Sequence, residues 1–367
     1  MIINSVNLNN FRNVSDMILL PDSEVNVIYG QNAQGKTNIL EAIWLFTGCK
    51  SFRGSKDSEF IKFNNEFSKI SLNFEDKIRE KKAEIIISDK KKVLLNGVEK
   101  KSTSDFIGEF YAVIFSPSHL SLIKDGPNVR RKFLDTAICQ LKPKYAKTLS
   151  AYRKIILQRN SLLKDIQYHS ELYDVLDSWD EQLAKYSALI INDRIKYINL
   201  LGKHSEEIYS GISENKEKLT LKYIYAAENT ELKDVNDIYS FMLEKIKSSR
   251  NEDILLKTTS VGPHRDDIEI NIDGISARSF GSQGQQRSCA LALKLGESEI
   301  IKSITGENPV ALLDDVMSEL DEKRQDYVLN HIKERQVFLT CCDPSQVLRL
   351  CKGKSFLIEN GNLKEEK

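Results

Sequence analysis

Toward both ends of the chain, apolar positions come in short runs that alternate with polar ones or close on turns. In the middle they recur every three or four residues. Period-two runs predict strands, and three-four spacing predicts amphipathic helices. Ile2–Leu8, Met17–Leu20 and Val25–Tyr29 read as strands, and Phe67–Phe74 and Ala83–Ile87 as half-buried strands. Asn96-Gly97 lies between strand-like flanks, Val93–Leu95 and Val98–Glu99. That pair tolerates positive φ at both positions, so a hairpin is expected. Phe110–Phe115 is a further apolar strand, closed by Ser116-Pro117.

From about Leu120 the period lengthens. Pro127 can open a helix that runs to Gln140. Lys144–Lys164 and Glu171–Ile208 are long, charged and nearly free of glycine. Leu172, Leu176, Trp179, Leu183, Tyr186 and Ile190 form a stripe that needs a packing partner. The pattern is too short and irregular for a long coiled coil. Leu219–Tyr225 reads as a strand and Asp237–Lys247 as a helix. After Asn251 the mixed pattern returns. Asp267–Ile272 and Ile275–Ser279 flank Asp273-Gly274 as a second hairpin. Gly284–Ile304 is a helix, Pro309–Leu313 a buried strand, Asp321–Lys333 a helix and Val337–Cys342 a strand. Pro344–Cys351 reads as a helix, Ser355–Glu359 as a last strand, and the Lys-Glu-Glu-Lys end as a solvated tail. The expected class is α/β. Residues 1–120 and 251–367 form one domain, and residues 121–250 form a helical lobe inserted into it.

Composition adds bounds. At roughly 100–200 residues per domain, 367 residues that are 41% hydrophobic suit two lobes. Lys plus Arg is 53 and Asp plus Glu is 53, so any surface for nucleic acid must be local. Arg130, Arg131 and Lys132, with Lys142, Lys144, Lys147, Arg153 and Lys154, concentrate positive charge where the helices begin. A DNA contact or an ordinary solvated face would both produce that run. The 6 Cys include no C-x-x-C pair. Cys341 and Cys342 are neighbours on an expected strand, so they point to opposite faces and cannot easily share a metal. Met1–Asn10 lacks the layout of a signal peptide, and no apolar run is long enough to span a membrane. A cytoplasmic, soluble protein is expected.

The chemistry centres on Gly30-Gln31-Asn32-Ala33-Gln34-Gly35-Lys36-Thr37, between an expected strand and an expected helix. This is the phosphate-binding spacing G-x-x-x-x-G-K-[ST]. Its glycines let N–H groups surround phosphate oxygens, Lys36 can reach the β and γ phosphates, and Thr37 can offer its hydroxyl to Mg²⁺. The next helix directs its positive end at the same anions. A plain glycine turn would explain Gly30 and Gly35, but not Lys36 and Thr37 beside them. Val310–Leu313 ends in Asp314-Asp315, where a first acid can hold Mg²⁺ and a second can act as general base. Ser282, Gly284 and Gln285 open a later helix and make a second anion-binding terminus. One nucleotide seldom needs two such termini unless two chains share it. His264-Arg265-Asp266-Asp267 is either a catalytic cluster or a turn held by an ion pair.

Taken in order, the glycine loop, Ser282-Gln283-Gly284-Gln285-Gln286-Arg287, Leu312-Leu313-Asp314-Asp315 and Ser318-Glu319-Leu320-Asp321 resemble an ATP-binding-cassette head. With Phe11-Arg12-Asn13, the stretch from Pro117 through Gly126 to Asp135, and Gly262–Asp267, the chain resembles the RecF family of SMC-like recombination-mediator ATPases. The resemblance covers the chain from end to end. It implies a cassette head with a helical second lobe like a shortened SMC arm. It further implies ATP and Mg²⁺ as cofactors and a homodimer formed on ATP. Each nucleotide would sit between Lys36, Thr37 and Asp314 of one chain and Ser282, Gly284 and Gln285 of the other. Arg12 would stand near the nucleotide and Asp321 at the dimer interface. The implied partners are double-stranded DNA, its junctions with single strands, and RecR with RecO in placing RecA. Slow, DNA-stimulated hydrolysis would act as a timer. The chain departs from cassette heads in carrying Asp315 where Glu is usual and Cys342 near the switch-histidine place. It also has Ser118 where the family commonly has an acid, and no glutamine between Ser116 and Gly126. A transporter ATPase subunit and an SMC-like structural clamp are the competing expectations.

Overall fold

The structure is a computed structural model that describes residues 1–226, 234–344 and 353–366. The strands are β1 (Ile2–Phe11), β2 (Val14–Leu19), β3 (Val25–Tyr29), β4 (Ser68–Glu75), β5 (Glu80–Ile87), β6 (Lys91–Leu95), β7 (Val98–Glu99) and β8 (Ala112–Phe115). They continue with β9 (Leu219–Ile224), β10 (Asp267–Ile272), β11 (Ile275–Ser276), β12 (Val310–Asp314), β13 (Val337–Cys341), β14 (Gly353–Glu359) and β15 (Asn362–Glu366). The helices are α1 (Lys36–Leu45), α2 (Pro117–Leu120), α3 (Pro127–Leu141), α4 (Pro143–Asp165) and α5 (Leu176–Ile212). After these come α6 (Val235–Ser248), α7 (Arg250–Leu256), α8 (Ala277–Phe280), α9 (Gln283–Thr305) and α10 (Glu322–His331).

One sheet has the order β2-β1-β4-β5-β6-β7 and is antiparallel. A second, β15-β14-β3-β13-β12-β8, is parallel except for β15. β8, β12 and β13 of the second sheet are apolar on both faces, as strands covered on both sides require. Neighbouring residues feed two different cores. Val27, Leu313 and Leu339 pack with the helices of the second lobe. Ile28, Leu312 and Phe338 pack with α1 and the antiparallel sheet. The central sheet is thus the wall shared by both cores.

Three hairpins use the same turn chemistry. Asn96 and Gly97 have φ of 50° and 78°, and Asp273 and Gly274 have 49° and 80°. The third, Asn360-Gly361 with φ 49° and 73°, overturns the expected solvated tail. It folds the chain back so that Glu359 pairs with Asn362, and residues 362–366 become an added strand. The expected arm Ile275–Ser279 is shorter than expected, because α8 begins at Ala277. Most of the helix expected at Pro344–Cys351 lies outside the described residues. The strand expected at Leu219–Tyr225 within the mainly helical lobe forms as β9. β9 lies within residues 121–250, yet it pairs along its length with β10, which lies beyond residue 250. The second lobe therefore shares a three-stranded sheet, β11-β10-β9, with the chain that follows it.

The second lobe is also fixed by buried charge. Arg159 is fully buried and pairs with Asp180 at 2.8 Å and with Asp253 at 2.6 Å. Arg250 completes Asp180 from the other side at 2.6 Å. This ties α4, α5 and α7 together. Removing the central cation would leave Asp253 without its ion pair. Arg159→Ala is therefore expected to cost about 3–5 kcal/mol, as other broken buried pairs do. A urea unfolding midpoint at the parent value would refute this.

Candidate functional site

β3 ends at Tyr29, between β13 and β14, and the chain turns sharply at Gly30. Gly30 has φ 147°, and a Cβ there would meet the Ile358 carbonyl oxygen at 2.3 Å. Gly35 has φ 109° and caps α1. Between them the loop is braced from outside. Asn13 Nδ2 donates to the Gln34 carbonyl at 3.1 Å, and the Gly361 N–H donates to the same oxygen at 3.0 Å. Gln31, Asn32 and Ala33 remain exposed, with Ala33 at φ 65°. Lys36 is buried and folded back on its own loop. Its Nζ donates to the Gly30 carbonyl at 2.6 Å and the Gln31 carbonyl at 3.2 Å, and it lies 3.5 Å from Cys342 Sγ. The Cys342 thiol in turn reaches Asn32 Oδ1 at 3.1 Å.

The strand pairing brings the acids to the same edge. Thr37 Oγ1 donates to Asp314 Oδ1 at 2.7 Å, and Thr340 Oγ1 donates to that oxygen at 3.0 Å. Burial pushes the Asp314 pKa above the usual carboxylate range, against the two hydroxyls that lower it. Among the described residues no cation pairs with it. A buried carboxylate beside a hydroxyl is an all-oxygen donor set that suits a hard divalent cation. Asp315 is half-buried with φ 55°, and its N–H donates to Thr340 Oγ1 at 2.9 Å. Arg12 has φ 53° and stacks 5.1 Å above the Phe60 ring. Its Nε is held by Glu41 Oε2 at 2.6 Å.

The later helix terminus is built as a reciprocal cap. Ser282 Oγ accepts from the Gln285 N–H at 3.2 Å, and Gln285 Oε1 accepts from the Ser282 N–H at 2.8 Å. Gly284 keeps space for Arg324, whose Nη2 would lie 3.2 Å from a Cβ there. Asp321 caps α10 and pairs with Arg324. Among the described residues, no hydrogen bond or ion pair joins Ser282, Gly284 or Gln285 to residues 30–37.

Comparison with known proteins shows the family. The domain family described as the RecF/RecN/SMC N-terminal domain matches residues 2–352. "DNA replication and repair protein RecF" of Acetivibrio thermocellus is 42% identical over 94% of both chains. The protein of the same name from Clostridium acetobutylicum is 41% identical over the full length of both. The chain belongs to the RecF family. That family comprises DNA replication and repair proteins with an SMC-like ATPase fold. Solved structures of the recombination mediator protein RecF-ATPrS and RecF-ATP in the RecFOR pathway are each 40% identical to it, with TM-scores of 0.93 and 0.92. They cover 99% of this chain, which covers 97% of each. An Smc head domain from Pyrococcus furiosus, 16% identical with a TM-score of 0.56 over 100% of this chain and 96% of that one, shares the fold.

Within this RecF-family chain, some expected residues take other roles. Arg130 is 2% exposed and clasps Asp267 with Nε at 2.7 Å and Nη2 at 2.8 Å. Its Nη1 donates to the Asp125 carbonyl at 2.7 Å. It is a structural tie between α3 and β10, with its donors taken up by Asp267 and by main-chain carbonyls. Arg131 donates to the Asp266 carbonyl and to Asn128, while Lys132 is exposed. Lys144 and Lys147 are exposed on α4, and Lys147 lies 3.2 Å from Asp105. His264 packs on Tyr152 and the buried Asp266 accepts from Tyr223, while Arg265 between them is exposed. His119 fills the turn after β8. Burial, with Lys294 and Lys132 nearby, holds its pKa well below the usual value.

Three residues escaped the sequence reading: Thr340, Glu41 and Asn13 as a loop brace. Glu41 carried a signal, because a lone acid interrupts the apolar run Ile39–Phe46. In the structure it is fully buried and holds Arg12 and Ser51. No helix among the described residues is long and apolar enough to cross a membrane.

Proposed function

We propose that this chain is an ATP-gated DNA-binding protein of recombinational repair, acting in the cytoplasm. One observation carries the reading: Thr37 and Asp314 meet at 2.7 Å beside the buried Lys36, at the start of α1. Residues 30–37 would cradle ATP, with Lys36 turning from the Gly30 carbonyl to the β and γ phosphates. Thr37 and Asp314 would hold Mg²⁺, which when bound offsets charge on the transferring phosphoryl group. Asp315 would orient the attacking water, and Arg12 would stand near the nucleotide. Ser282 and Gly284 of a second copy would close the site, with Asp321 at the interface. Gln285 would support Ser282 through its cap.

The head would comprise residues 1–120 and 251–367, with residues 121–250 as the arm-like lobe. DNA would lie along the outer face of α4. Between Asp135 and Asp165 the sequence has no carboxylate, while Lys142, Lys144, Lys147, Arg153, Lys154 and Lys164 supply cations. The dimer would hold double-stranded DNA near junctions with single strands and, with RecR and RecO, favour RecA loading. DNA-stimulated hydrolysis would time release. A transporter subunit fits less well, because Cys342 stands near the switch-histidine place and no glutamine lies between Ser116 and Gly126.

Lys36→Ala should abolish ATP-dependent dimerisation while leaving the fold intact. Light scattering with and without ATP reads this, and an undiminished mass shift would refute it. Asp315→Asn should dimerise yet hydrolyse ATP at least about 10²-fold more slowly, as expected for a lost general base. Hydrolysis at the parent rate would remove Asp315 from that role. Replacing Lys144, Lys147 and Lys154 together by Ala should flatten the slope of log affinity against log salt by about 2–3 units, near 0.9 per phosphate contact. An unchanged slope places the DNA surface elsewhere.

A further inference from the structure

Gln285 uses both ends of its side-chain amide. Its Oε1 accepts from the Ser282 N–H at 2.8 Å, and its Nε2 donates to Glu217 Oε1 at 2.8 Å. The other oxygen of Glu217 accepts from the Tyr209 hydroxyl at 2.6 Å. Tyr209 is buried near the end of α5, and Glu217 lies in the turn between α5 and β9. A glutamine amide can turn over and exchange its donor and acceptor ends. Turned over, it would set an NH₂ group against the Ser282 N–H, and the cap would fail. An ionised carboxylate only accepts, so Glu217 decides which end of the amide faces Ser282. The same cap points the Gln285 N–H at Ser282 Oγ, which leaves the hydroxyl hydrogen free to donate outward.

We propose that Glu217 is a positioning residue for the Ser282 turn. It fixes the Gln285 amide, and through it the Ser282 hydroxyl and the first N–H groups of α9, in the orientation a phosphate needs. The anchor runs from α5, the long helix of the second lobe, to the helix terminus that closes the site of a second copy. This rests on the composite-site reading above. The observations behind it are the two 2.8 Å bonds and the single polarity of a carboxylate.

The test uses the full chain with Glu217→Ala and Glu217→Gln. Hydrogen exchange of the segment 280–287 is followed without nucleotide. Binding of a fluorescent ADP to the monomer and hydrolysis at saturating ATP are measured in parallel. Glu217→Ala is expected to exchange and to hydrolyse differently from the parent by about tenfold each, faster and slower respectively, the scale of one hydrogen bond to a charged group. Its ADP affinity and melting temperature should stay near the parent values. Glu217→Gln can present either end of its amide, so it no longer fixes the polarity of Gln285 and should share both defects. Unchanged exchange in Glu217→Ala, or a Glu217→Gln indistinguishable from the parent, would overturn the assignment. Ser282→Arg separates the two readings. If exchange quickens in Glu217→Ala but hydrolysis does not fall, a defective Ser282→Arg overturns the positioning role. A Ser282→Arg at the parent rate overturns the composite site instead.

Discussion

The Asp314 carboxylate is the point on which the loop edge depends. It ends β12, accepts from Thr37 at the start of α1 and accepts from Thr340 on β13. β13 lies between β3 and β12, so the carboxylate spans the strand that separates it from the loop strand. Buried and without an ion pair among the described residues, it is costly to desolvate, and the two hydroxyls offset only part of that cost. In the proposed site, a bound cation would offset the remainder. Lys36 folds onto backbone carbonyls, since its own ammonium needs acceptors until phosphate supplies them.

Thr340 carries a second duty. Its one hydrogen goes to Asp314, and its lone pair takes the N–H of Asp315. Asp315 stands in the left-handed region, where a non-glycine residue stores about 1–3 kcal/mol. The Thr340 bond is what holds it there. An acid one methylene shorter than glutamate depends more on its backbone for reach, and here the backbone is held by a neighbouring strand.

What could be read beforehand follows from how local each feature is. The loop, its strand and its helix are set by neighbours within eight residues, and Gly30, Gly35, Lys36 and Thr37 stand as the spacing requires. Ser282 and Gln285 form a cap three residues apart, also a local pattern. Thr340 is 26 residues from Asp314, and Glu217 is 68 from Gln285. Sheet order and lobe packing create those contacts, and no periodicity announces them. Arg130 shows the opposite failure. The sequence displays its charge but not Asp267, 137 residues away, which buries it. The C-terminal hairpin was legible in Asn360-Gly361, yet the charged residues after it masked a strand paired on one edge only.

The last tie runs between the helix terminus and the acids of one chain. Arg287, within the Ser282 segment, donates to the Glu319 carbonyl at 2.7 Å and to its carboxylate at 3.0 Å. Arg324 donates to the Gly284 carbonyl at 3.2 Å and to Ser288 at 2.9 Å while pairing with Asp321. Ser318–Asp321 begins only three residues after Asp315. In the proposed dimer, Ser282 serves the partner's nucleotide, whereas Asp314 and Asp315 serve the chain's own. The two arginines therefore join groups that belong to different nucleotides. These contacts run from the Ser282 turn to the segment that follows β12. Glu217 holds that turn from the opposite side, from the second lobe where DNA is proposed to bind. On the proposed reading, short polar links would run from the second lobe to one nucleotide and from there to the other.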